Sequence, residues 1–179
     1  MRPSDLHELR ENVRHCAVDV LASYELFVDA SSNEMPKIQG PTAIASFMGF
    51  GGELMRGTLT IVAQASTVER SYPVPGHTPA MDELFDWWGE VANQLCGRIK
   101  NKLLLRGIEI QQSTPQSVLA VQLRIARSDQ SVCALDLRCG GDSIGIWFDC
   151  ATEEGVSLFS PPRVSMQAPA ITEGDLLLF

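Results

Sequence analysis

Residues 79–107, PAMDELFDWWGEVANQLCGRIKNKLLLRG, read as one long amphipathic helix, and that reading decides the fold. Thr78 suits an N-cap, and Pro79 suits the first helical position, where a missing N–H costs nothing. Asp82 and Glu83 complement the positive end of the helix dipole. Lys100, Lys102 and Arg106 lie towards the other end, and Gly107 is a natural C′ stop. At about 100° per residue, Leu84, Trp88, Val91, Leu95 and Ile99 gather within roughly 80° of arc. Phe85, Ala92, Cys96 and Leu103 widen that core stripe on one flank. Asp86, Glu90, Asn93 and Gly97 cluster within about 60° on the opposite side. An acid, an acid, an amide and a bare glycine therefore form one exposed ridge. A glycine inside a helix costs about 1 kcal/mol relative to alanine, and here it lets another surface approach the backbone. Acids and amides opposite a core stripe are also what any solvated helix face carries, so the spacing alone assigns no function.

Upstream, residues 4–28 read as a second amphipathic helix. Ser4 is its N-cap, and Leu6, Leu9, Val13, Ala17, Val20 and Leu21 recur at helical spacing. Turn formers over 31–41 end it. Strand-like runs follow at 42–47 and 58–65, and Gly49, Gly51, Gly52 and Gly57 between them predict a tight or bulged hairpin connection. Residues 70–79 hold three prolines and read as a loop into the central helix. Beyond Gly107 come four predicted strands, 108–113, 118–126, 132–139 and 143–150. In the second, Leu119, Val121, Leu123 and Ile125 alternate with Ala120, Gln122 and Arg124. Such alternation predicts a largely antiparallel sheet covered on one face. Trp147 alternates with core residues and should face away from the helices. The expected fold class is α+β: a largely antiparallel β-sheet with two long amphipathic helices.

The 179 residues suit one domain with a sizeable core, taken as residues 1–150, followed by an extension over 151–179. That extension, which ends in Leu176, Leu177, Leu178 and Phe179, is read as an edge strand or a partner-contact segment. A net charge of −8 repels phosphate backbones and anionic lipid, which argues against nucleic-acid and membrane-surface partners. There is no apolar run of the length a spanning helix needs and no signal-peptide pattern, so a cytoplasmic location is expected. The five cysteines, Cys16, Cys96, Cys133, Cys139 and Cys150, include no CxxC pair and no metal-ligand spacing. Cys133 and Cys139 share a strand face with Leu135 and Leu137, and Cys150 continues the row Ile144, Ile146, Phe148, so they behave as small core hydrophobes. His7, His15 and His77 read as surface positions, and Trp87, at the edge of the core arc, as a dimer or domain contact.

The stretch from Asp86 through Glu90 to Asn93 matches the D/S-xxx-E-xx-N motif of the CheC, CheX and FliY chemotaxis phosphatases, and Pro115 stands near the family's downstream proline. The glycine-punctuated pair of strands before the helix resembles theirs as well, so the likeness covers roughly residues 5–150. The first helix offers Glu8, Glu11 and Asn12 but no second E-xx-N. A single site per chain is similar to CheX, whose members form homodimers. The resemblance implies a CheC-like fold and hydrolysis of the aspartyl phosphate on a CheY-like response regulator. It implies that Asn93 orients the attacking water and that Glu90 pairs with the regulator's lysine, with Asp86 and Gly97 as partner contacts. No cofactor is expected on this chain, and Mg2+ is expected on the phosphorylated partner. Two other readings stand beside this one: a non-catalytic regulator-binding adaptor, and a structural component of a chemotaxis or flagellar-switch complex.

Overall fold

The computed structural model describes residues 3–34, 36, 38, 41–121 and 132–153. Helix α1 (Pro3–Ala22) is followed by β1 (Ala30–Ser32), β2 (Ala43–Gly51), β3 (Met55–Gln64), α2 (Ala65–Arg70) and α3 (Met81–Leu104). Four further strands follow among the described residues: β4 (Gln111–Gln112), β5 (Gln116–Ala120), β6 (Val132–Cys139) and β7 (Asp142–Thr152). All strands pair antiparallel in one sheet of order β1-β6-β7-β3-β2-β4, and β5 also pairs with β2. The expected α+β class and largely antiparallel sheet are what the chain adopts.

Both long helices lie on one face of this sheet. Leu9, Val13, Ala17 and Val20 of α1 and Leu84, Trp88, Val91, Leu95 and Ile99 of α3 are all buried. They meet Ile44, Met48, Leu59, Ile61, Leu135, Ile146 and Phe148 of the strands in a single core. The Trp88 indole N–H donates to the Ile61 carbonyl at 3.3 Å, fixing the middle of α3 over β3. All five cysteines are buried. Burial pushes the thiols of Cys133 and Cys150 up to about 12 and those of Cys96 and Cys139 up to about 11, so they pack as hydrophobes. Trp147 points to the opposite sheet face, as its alternation required. It is buried there with Ala43, Ala45, Val62 and Ala134, and Ile38 packs against them, so that face is not wholly solvated.

Several boundaries differ from those the sequence predicts. Helix α1 begins at Pro3, which places Ser4 inside its first turn, and it stops at Ala22 rather than near 28. Leu26 N–H bonds the Leu21 carbonyl and Glu25 N–H bonds the Ala22 carbonyl, with Glu25 at φ 61°. That is a Schellman cap with glutamate in the left-handed position, where sequence rules look for glycine. The same cap closes α3 where it was expected: Ile108 N–H bonds the Leu103 carbonyl, and Gly107 has φ 75°. The start of α3 moves inward from Thr78 and Pro79 to Ala80, because the Glu83 carboxylate reaches back to the Ala80 N–H at 2.7 Å. The strand predicted to end at 65 ends at Gln64, and residues 65–70 form the short α2, which falls between the predicted strand and the predicted loop. β1, over residues expected to be turn, was not anticipated.

The glycines expected between the two strands lie mostly within them. Gly49 and Gly51 belong to β2 and Gly57 to β3, and the turn is confined to residues 52–54. A Cβ at Gly57 would collide with the Asp149 carbonyl and the Phe50 ring, so glycine there permits close approach of β7. The predicted strand 108–113 is reduced to two paired residues, and residues 122–126 of the predicted strand 118–126 lie outside those described. Leu119 on the edge strand and Val121 just beyond it, both predicted to face a cover, are 42% and 73% exposed. β7 runs past the expected boundary at 150 to Thr152, and residues 154–179 of the proposed extension also lie outside those described.

Two stability predictions follow from this packing. Gly57→Ala should cost about 3 kcal/mol in urea unfolding, since strand backbone must move apart. Gly51→Ala, whose Cβ meets nothing within 4 Å, should change stability by less than about 0.5 kcal/mol. The second concerns acid. The Ala80 N–H and then His77 hold the Glu83 carboxyl below its ordinary 4.5, and Arg70 and then Thr67 hold that of Asp142 below its ordinary 3.8. A depressed carboxyl adds stability that is complete above its unfolded value and is lost as pH falls through its folded value. The melting temperature should therefore decline from about pH 5 towards pH 3. The decline should be shallower in the double variant Glu83→Gln, Asp142→Asn, measured calorimetrically; an equal slope in both proteins would refute the assignment.

Candidate functional site

The ridge of α3 forms one wall of an open groove rather than a bare helix face. β2 presents its edge to two strands in turn: Phe50 and Gly51 pair with β4, and residues 43–47 pair with β5. Between them the chain leaves the ladder at residues 113–115. The Ser113 hydroxyl takes a bond from the Gly49 N–H at 2.9 Å, and the Ser113 N–H bonds the Gly49 carbonyl. Thr114 and Pro115 therefore stand out against α3. With Ser117, Phe85, Asp86, Gly89, Glu90 and Asn93 they line a groove of about 370 Å³.

The helix is held against this edge by small groups. Ser117 Oγ donates to the Phe85 carbonyl at 2.8 Å and lies 2.6 Å from Ser46 Oγ. Having given its one proton to Phe85, Ser117 must accept from the buried Ser46. A Cβ on the buried Gly89 would stand 3.5–3.7 Å from Ser117 and Pro115, ordinary van der Waals contact, so helix and loop already lie side by side there.

All four ridge residues named from the sequence share this face. Glu90 and Asp86 are exposed, while Asn93 and Gly97 are half-buried. Asn93 Nδ2 donates to Glu90 Oε2 at 3.3 Å, and Gln94 Nε2 donates to Glu90 Oε1 at 3.0 Å. On its other side, Asn93 Oδ1 accepts from Gln112 Nε2 at 2.5 Å. Glu90, Asn93 and Asp86 line the groove, whereas Gly97, one turn beyond Asn93, does not. A Cβ on Gly97 would meet nothing within 4 Å, so nothing among the described residues requires glycine there. Gln112 belongs to no motif in the sequence. Its signal is parity: it continues the buried row Ile108, Ile110 and is the first polar member of that row.

Trp87, read from the sequence as a dimer or domain contact, is half-buried and also bonded within the chain. Its indole N–H bonds Ser71 Oγ at 3.0 Å, and its ring stands edge-on to Tyr24 with centroids 4.5 Å apart. His77 bonds Glu83 at the start of α3, away from the groove. Among the described residues, no three His, Cys, Asp or Glu side chains group as metal ligands. No described helix is long and apolar enough to cross a membrane.

The chain resembles solved structures over most of its length. The CheC-like superfamily protein from Shewanella sp. PV-4 superposes with a TM-score of 0.68 at 19% identity, covering 84% of this chain and 99% of that one. The chemotaxis protein CheX from Vibrio vulnificus gives 0.67 at 19% identity, covering 80% and 97%. CheX in the CheX–CheY–BeF3–Mg2+ complex from Borrelia burgdorferi gives 0.62 at 15% identity, covering 78% and 96%. At these identities the structures establish the CheC-like fold. No curated protein sequence matches the chain. The sequence profile described as "Chemotaxis phosphatase CheX" matches residues 44–136, from β2 through the groove and into β6, and on that match the chain belongs to the CheX chemotaxis phosphatase family.

Proposed function

We propose that this protein hydrolyses the aspartyl phosphate of a CheY-like response regulator, which docks its phosphorylated face on the α3 ridge. The observation that carries this reading is the hydrogen-bonded pair of Glu90 and Asn93 at the mouth of the groove. Phosphoryl transfer to water asks for little covalent help; it asks for an in-line water and for neutralised charge. The regulator supplies Mg2+ and a lysine beside its phosphoaspartate, and this chain supplies the orientation. Asn93 carries two donors and two acceptor sites. One donor is used on Glu90 and one acceptor on Gln112, which leaves one of each for a water. An amide does this without titrating, so the water-orienting group is the same across the physiological pH range.

Glu90 anchors the complex by pairing with the regulator's lysine. Residues three apart on a helix project side by side, so Glu90 can hold while Asn93 reaches in. Asp86 lies one turn before Glu90 on the groove wall and adds a contact to the partner. Gly97, without a neighbour of its own, admits the partner's surface against the helix backbone. The Borrelia burgdorferi relative, found as a complex with CheY, supports a partner of this kind. A homodimer with one site per chain and a cytoplasmic location belong to the same reading, and light scattering tests the first of these.

Phosphate release from a phosphorylated CheY-like receiver with Mg2+ tests the proposal. Asn93→Ala should lower the accelerated rate by about 100-fold or more at saturating regulator. Glu90→Ala should instead raise the regulator concentration needed for half-maximal rate by about ten-fold or more. Binding without any acceleration by the wild-type protein would make it an adaptor and end the enzyme reading.

Gly97→Ala separates the partner's needs from the fold's. It should raise stability by about 0.5–1 kcal/mol, because helix propensity improves and no clash arises. It should also weaken regulator binding, measured by titration. Unchanged binding would remove Gly97 from the interface.

A further inference from the structure

We propose that Gln112 is a positioning residue for Asn93: it fixes the rotamer and the amide orientation with which Asn93 meets the attacking water. This rests on the phosphatase reading above and adds a residue to it. Gln112 sits on β4 opposite Phe50 and projects from the sheet towards α3. The direction of the contact is determined by chemistry. A carboxylate only accepts, so the Asn93 NH2 group must face Glu90, and Asn93 Oδ1 must face β4. Only a donor can meet that oxygen, so Gln112 turns Nε2 to it. The hydrogen bonds therefore run in one sense, from Gln112 to Asn93 to Glu90, with Gln94 closing on the second Glu90 oxygen. Asn93 is held from both ends, and its remaining lone pair and N–H point away from both partners.

Fold stability does not account for this glutamine. Ile108 and Ile110, the preceding members of its row, are 3% and 2% exposed, and the next position would be filled at least as well by leucine. The Gln112 amide oxygen is buried without a hydrogen-bond partner among the described residues, a cost that leucine would avoid. The only bond its side chain makes there is the one to Asn93. A half-buried amide that leaves its oxygen unbonded and gives its single side-chain bond to the water-orienting residue is the pattern expected when function, not packing, selects the group.

Kinetics and NMR on three variants test the assignment. Gln112→Leu should fold with a melting temperature at or above that of the wild type, yet lower kcat by roughly ten- to hundred-fold, as loose positioning does. Its KM for the phosphorylated receiver should change less than two-fold, because Glu90 is untouched. Gln112→Glu places a carboxyl against Asn93 Oδ1 that donates only when protonated. Its rate relative to wild type should therefore rise as pH falls from about 8 towards 5. In the free protein, the Asn93 side-chain amide signals should shift and gain fast motion in Gln112→Leu. Loss of activity in Asn93→Ala but full kcat in Gln112→Leu would overturn the role of Gln112 alone. So would an unchanged Asn93 amide signal in Gln112→Leu. If the wild type accelerates nothing, the phosphatase reading falls and this role in it falls too.

Discussion

Where α3 crosses the edge of the sheet, Ser46 donates to Ser117, and Ser117 donates to the carbonyl of Phe85. That carbonyl already belongs to the helix ladder, so the second bond pins the backbone of α3 rather than a mobile side chain. Gly89 faces this contact, with Ser117 and Pro115 at ordinary van der Waals distance from where its Cβ would be. The groove depends on this contact. Were α3 a side-chain diameter further from β5, Thr114 and Pro115 would no longer face Asp86, Glu90 and Asn93, and Gln112 would fall short of Asn93. The break in the edge strand at residues 113–115 serves the same end, because a continuous ladder along β2 would leave no backbone free to bulge towards the helix.

The legible part of this molecule is the part governed by a period. The 3.6-residue repeat places Leu84, Trp88, Val91, Leu95 and Ile99 in the core and Glu90 and Asn93 opposite them, and the structure agrees residue by residue. Gly107 is equally legible, since a left-handed C′ position favours the residue without a Cβ. Glu25 takes the same conformation and closes α1 in the same way, but a glutamate carries no such signal, and the helix was read several residues too long. The start of α3 was misplaced for a related reason. Thr78 and Pro79 both satisfy local start rules, whereas the determining contact, Glu83 back to Ala80, looks like an ordinary first-turn acid in the sequence.

Long-range constraints were the illegible ones. Gly57 reads as turn punctuation, yet it lies mid-strand because β7 passes where a Cβ would be, a neighbour nearly a hundred residues away in sequence. Leu119 and Val121 alternate like core residues but stand on the sheet's edge, where alternation says which face a residue shares and not whether anything covers it. The groove had the same problem. The ridge could be derived from one helix, but its opposite wall comes from a loop more than twenty residues on, and the family resemblance marks Pro115 in the sequence without placing it against the helix.

The directed hydrogen bonds explain why the position three residues after Glu90 is an amide and not an acid. An aspartate at 93 would present oxygen on both sides. It would meet the Glu90 carboxylate as a like charge at i,i+3 spacing, which destabilises a helix, and it would offer no proton to hold Glu90 in place. A hydrophobic residue would free Glu90 but leave Gln112 with neither of its amide atoms bonded. Asparagine alone among short side chains donates to one neighbour, accepts from the other and keeps one group of each kind for a third party. The pair Glu90–Asn93 is therefore a unit whose geometry exists before any partner arrives. On the proposed reading, a docking receiver would meet a carboxylate already turned outward and an amide already oriented, which is the form of help a reaction limited by positioning can use.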